Sequence, residues 1–83
     1  MGELPRTVVE RILKQESGIR VSSEAVLTAS TLAEAIIRYL GREGSLLAKH
    51  AGRNTLMSTD LKLASRRIGE VTEEVMRAVT DEP

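Results

Sequence analysis

The sequence predicts an all-α fold, and three observations carry that expectation. Apolar residues recur at steps of three and four in three separate segments, as they do on one face of a helix. Ser, Gly and Pro punctuate those segments where helices start and stop. Aromatic side chains amount to Tyr39 alone, with no Phe or Trp, so any core must be aliphatic.

Pro5 suits the first turn of a helix, and Val8, Val9, Ile12 and Leu13 keep one face apolar until Ser17-Gly18. This predicts a short helix over roughly 5–16. Arg11 and Lys14, three apart, are neighbours on its other side. From this segment alone they read equally well as a solvated charged face.

Residues 18–23 form a connector that ends in a Ser N-cap, with Glu24 at the positive end of the next helix dipole. A long helix is expected over about 23–50. Val26, Ala29, Ala33, Ile37, Leu40, Gly44, Leu47 and Ala51 form its stripe, and Leu32, Ile36, Tyr39 and Leu46 widen it onto another face. Such a helix spans about 42 Å, whereas a compact monomer of this size is roughly 30 Å across. Either a second chain covers the overhang, or the helix breaks at Gly41-Arg42-Glu43-Gly44, where each glycine costs about 1 kcal/mol.

Gly52 is a natural left-handed C-cap, Thr55-Leu56-Met57 reads as extended, and Ser58 or Thr59 caps a third helix with Asp60 in its first turn. Leu61, Ala64, Ile68, Val71, Val75 and Ala78 continue the period, which carries this helix to about residue 80 despite Gly69. The organisation expected is a domain over 1–68 and a helical extension over 69–83.

Charge divides along the same boundary. Residues 1–68 hold eleven Lys/Arg against seven Asp/Glu, a net +4, and residues 69–83 hold Arg77 against five acids, a net −4. A chain of 83 residues buries only roughly 63% of its unfolded surface. Stability as a monomer is therefore marginal. No Cys and one His leave no thiolate zinc site and no multi-histidine cluster, so neither metal nor cofactor is expected. The longest apolar runs are three residues, as in Ala35 to Ile37, and the N-terminus has no signal-peptide pattern, so a cytoplasmic protein without membrane contact is expected. One aromatic argues against binding single strands by base stacking. Gly41 to Ser45 lacks the lysine of a phosphate loop, and nothing places a nucleophile and an orienting carboxylate around His50. The protein is not expected to be an enzyme.

The most informative segment runs from His50 to Leu61 and contains Arg53-x-Thr55-x-x-x-x-Asp60. With Glu3-Leu4-Pro5, Arg11-Ile12-Leu13-Lys14, Arg20-Val21-Ser22 and Leu47 to Arg53 in this order, residues 3–68 resemble the histone fold of archaeal histones. The resemblance implies a handshake dimer whose long helices cross, which supplies the second chain that the 42 Å helix requires. It also implies that the first loop of one protomer lies beside the second loop of its partner, the paired loops and the short first helices facing the backbone of double-stranded DNA.

By the same resemblance Arg11 and Lys14 contact phosphates, Arg20 projects towards the minor groove beside Ser22, and Arg53, Asn54 and Thr55 present the second loop to DNA. Arg53 and Asp60 form the ion pair that clamps this loop to the third helix; the plainer alternative is a surface pair of little consequence. Leu47, His50 and Asp60 lie where two dimers meet, although His50 is also placed to cap the carbonyls of its own helix. Departures matter too. Asn54 stands where the family usually has Lys, Met57 at a position often basic, and Leu46 in place of a polar residue. These weaken the expected DNA affinity, and the acidic extension puts open-ended stacking of dimers in doubt.

The function expected is a chromosomal architectural protein, a histone homodimer assembling to a tetramer through Val71, Val75 and Ala78, which compacts or bridges duplex DNA without reading sequence. The alternative is a histone-fold interaction module that pairs with another histone-fold subunit, binding DNA weakly or not at all.

Overall fold

A computed structural model describes residues 3–69. They form three α-helices, α1 (Arg6–Ser17), α2 (Ser23–His50) and α3 (Ser58–Ser65), with no strand among the described residues. Pro5 precedes α1 in extended geometry, and Gly18 closes it at φ 71°, donating its N–H to the Lys14 carbonyl at 2.9 Å. That left-handed conformation favours glycine. Ser22 caps α2, its hydroxyl accepting the Ala25 N–H at 3.0 Å.

Helix α2 runs unbroken through Gly41 and Gly44, which removes the broken-helix alternative. It ends in a Schellman arrangement: Gly52 at φ 77° donates to the Lys49 carbonyl and Arg53 N–H to that of Ala48, both at 2.9 Å. The start of α3 differs from expectation. Its N-cap is Met57, in extended geometry and without a side-chain cap, and Ser58 is already the first helical residue. Regular α3 also stops at Ser65, where the Arg66 and Arg67 amides reach back only three residues, to Leu63 and Ala64. Ile68 and Gly69 are helical again. The expected continuation to residue 80, with Val71, Val75 and Ala78, lies outside the described residues.

The chain divides into two compact units, one ending at Glu34 and one starting at Ala35. In the first, α2 buries Val26, Ser30 and Glu34, spaced by four. In the second, Tyr39, Gly44 and Ala48 of α2 and Asp60 and Ala64 are buried. The predicted stripe is therefore only partly inside. Ile37 is 55% exposed and Leu46 60%, because each chain covers just one side of its own long helix.

Gly44 is where α2 meets the start of α3 most closely. A Cβ there would stand 2.8 Å from Leu56 Cδ1 and 3.3 Å from Leu61 Cδ2. Gly44→Ala should be nearly neutral in thermal melts: about 1 kcal/mol of helix propensity offsets the shift of the exposed Leu56 methyl. Gly44→Val drives further carbon into both leucines and should cost roughly 1–3 kcal/mol.

Candidate functional site

The second loop, from Ala51 to Met57, is held at both ends by backbone geometry and in the middle by charge. Because the Schellman arrangement fixes Arg53 just past α2, its guanidinium can fork onto the first turn of α3. Arg53 Nη1 donates to Asp60 Oδ2 at 2.8 Å and Nη2 to Oδ1 at 2.7 Å, while Nη1 also reaches the Thr55 carbonyl at 3.2 Å. The Met57 N–H donates to Asp60 Oδ2 at 2.9 Å, the return half of a capping box. One carboxylate thus ties together a cation, a helix start and, through Arg53, the middle of the loop.

Asp60 is only 2% exposed, whereas the Arg53 side chain is one-third exposed. The Arg53 hydrogen bond, followed by that of Met57, holds the Asp60 carboxyl at about 2, well below its ordinary 3.8, against the opposing effect of burial. The same bond raises the Arg53 guanidinium. Such a bidentate fork fixes orientation as well as charge, which a lysine cannot do.

Around this clamp Asn54 and Thr55 are exposed. Arg53, expected both to face DNA and to close the loop, spends Nη1 and Nη2 on the loop. His50 is exposed at the end of α2; the carbonyls of Leu47, Ala48 and Lys49 accept backbone amides from Ala51 to Arg53, so the capping role open to His50 is filled by main chain. Leu47 is half-buried.

In the first unit, Arg11 and Lys14 lie exposed on α1, Lys14 in an i,i+4 pair with Glu10 at 3.3 Å. Exposed pairs of this kind contribute under about 1 kcal/mol and yield readily to a phosphate. Arg20 and Ser22 line an open depression of about 400 Å³ between the end of α1 and the start of α2. Although the Ser22 oxygen accepts the cap bond, its O–H can still donate outward. Sequence reasoning missed Gly44 as a close-approach site and Met57 as the cap; the signals were a glycine on an apolar stripe and an Asp three residues after Met57. Among the described residues no group of three or more His, Cys, Asp or Glu is arranged to hold a metal ion, and no helix is long and apolar enough to cross a membrane.

Residues 1–67 match the core histone domain family. The archaeal histone HAN1 of Thermococcus zilligii is 36% identical over 67 residues, which cover 77% of this chain and 96% of that protein. DNA-binding protein HmvA of Methanocaldococcus jannaschii is 32% identical over 75 residues, 84% of this chain and 78% of its own. Histone H3.v1 of Dictyostelium discoideum is 33% identical over 63 residues, only 10% of that longer protein. No solved structure matches significantly. A family match over most of the chain, on three helices joined by a clamped loop, shows that this chain belongs to the histone family and has the histone fold.

Proposed function

We propose that this histone-fold chain works as an architectural protein of the chromosome, a homodimer that binds duplex DNA through its backbone and compacts or bridges it. The observation that carries this reading is the Arg53–Asp60 clamp, which holds exposed Asn54 and Thr55 in a fixed loop. Backbone amides and hydroxyls on such loops position a protein on phosphates without reading bases. The exposed cations Arg11, Lys14 and Arg20 extend that surface. The relative HmvA, named as a DNA-binding protein, agrees with it.

Exposed Ile37 and Leu46 on α2 support a second chain packed along that helix. Assembly to a tetramer draws on Leu47, His50 and Asp60 where dimers meet, and on Val71, Val75 and Ala78. Truncation after Ile68 tests the latter set: sedimentation should show a smaller assembly, and an unchanged one rules it out. The cellular place that fits is the nucleoid of a cytoplasmic chromosome.

A salt-titrated binding assay tests the function. Six charges, from Arg11, Lys14 and Arg20 of both protomers, give a slope of log affinity against log salt of roughly −5. A flat dependence, or a preference of many hundredfold for one short sequence, overturns the reading. A flat result favours pairing with a different histone-fold subunit, the function to which zero net charge and exposed Met57 also point.

A further inference from the structure

Helix α1 carries Arg11 and Lys14 yet has no buried residue of its own. Its C-terminal end is fixed by the Gly18 cap. Its N-terminal end is not: Pro5 makes no side-chain cap, and the first turn holds no acid to meet the positive end of the dipole. The missing anion comes from another helix. Glu34 of α2, 7% exposed, accepts the backbone N–H of Glu3 and, at 3.3 Å, that of Leu4, both on Oε2. These are the two residues immediately before Pro5.

The packing around Glu34 makes this tie consequential. On the same α2 face, at steps of four, stand Val26 and Ser30, so two of the three buried side chains beside the first helix are polar. The Ser30 hydroxyl is buried without a partner among the described atoms. An interface so poor in apolar area fixes α1 weakly by hydrophobic contact alone. A carboxylate accepting two backbone amides is a stronger and more directional constraint.

We infer that Glu34 is the positioning residue for α1, its carboxylate gripping the Glu3–Leu4 strap so that Arg11 and Lys14 are held at the duplex. The inference rests on the duplex-binding function above, and it sets geometry against charge. A negative group near a DNA surface lowers affinity by repulsion, so Glu34 promotes binding only if it holds the strap.

Two variants separate these effects. Because one oxygen accepts both amides, Glu34→Gln keeps the grip and drops the charge, whereas Glu34→Ala loses both. Glu34→Gln should bind duplex DNA at least as tightly as the parent, with the same salt slope. Glu34→Ala should bind more weakly, its slope falling from roughly −5 to roughly −2 as the four α1 charges of a dimer disengage and only Arg20 remains. Hydrogen exchange on the free protein should find the Glu3 and Leu4 amides slowed in the parent and in Glu34→Gln but not in Glu34→Ala. Tighter binding by both variants makes Glu34 a mere charge and overturns the inference, as do parent amides that exchange at the free-chain rate. A parent protein that does not bind DNA removes the function and this role with it, and the exchange result then reports on the fold alone.

Discussion

Asp60→Ala should weaken duplex binding, although it removes a negative charge from the loop that faces DNA. Simple electrostatics gives the opposite sign. The carboxylate is almost wholly buried and receives Arg53 Nη1, Arg53 Nη2 and the Met57 amide, so its loss releases the helix start and the loop together. Arg53→Ala should act in the same direction. Arg53→Lys should rescue only in part, since an ammonium cannot fork onto both oxygens and reach the Thr55 carbonyl. Tighter binding by a well-folded Asp60→Ala protein would falsify the clamp. Acid offers a second route to the same state. Because the folded carboxyl titrates at about 2 and the unfolded one near 3.8, the clamp's stabilisation is complete above the unfolded value. It fades as pH falls below about 4 and is gone below about 2. Following the Asp60 side-chain carboxyl by NMR checks this, and a midpoint near the ordinary 3.8 means that the pair does not hold in solution.

Heating should dissociate and unfold the protein in one step, with a melting temperature that rises about 4 °C for each tenfold increase in concentration. More than half of Ile37 and of Leu46 is exposed on a helix that the chain alone leaves uncovered on one side. Burying such side chains against a second copy stabilises by roughly 1.5–3 kcal/mol each. Ile37→Lys places a charge in that interface and should leave the chain unfolded at micromolar concentration. A melting temperature independent of concentration, or a folded 9.1 kDa monomer, would refute the obligate dimer.

Which parts of this architecture could be read from sequence follows from the range of the interactions involved. The limits of α1 and α2 rest on local chemistry: apolar spacing, a Ser cap, glycines that take positive φ. They fall within a residue of expectation. The Arg53–Asp60 pair spans seven positions and belongs to a motif that is itself local. Other features depend on tertiary contact. Ser58 and Thr59 have the chemistry of a cap, yet Asp60 turns back to the Met57 amide and sets the helix start one residue earlier. Gly44 looks like a weak point by propensity, and only the approach of Leu56 and Leu61 makes its size matter. Glu34 meets the chain some thirty positions away, and no spacing rule announces such a contact.

The clamp's short span also bears on the order of events in folding. Every bond of the second loop, from the Schellman turn to the Asp60 fork, joins residues no more than seven apart within one chain. Loops of that length close in about 10–100 ns, long before two chains meet at micromolar concentration. The end of α2, the loop and the start of α3 can therefore organise as a hairpin inside each isolated chain. Refolding should then show a rapid phase indifferent to concentration, followed by a second-order phase in which preformed loops are brought together. Arg53→Ala should erase the first and leave the collision-limited step to work on disordered loops, so a lesion in one chain is felt as slow assembly of two.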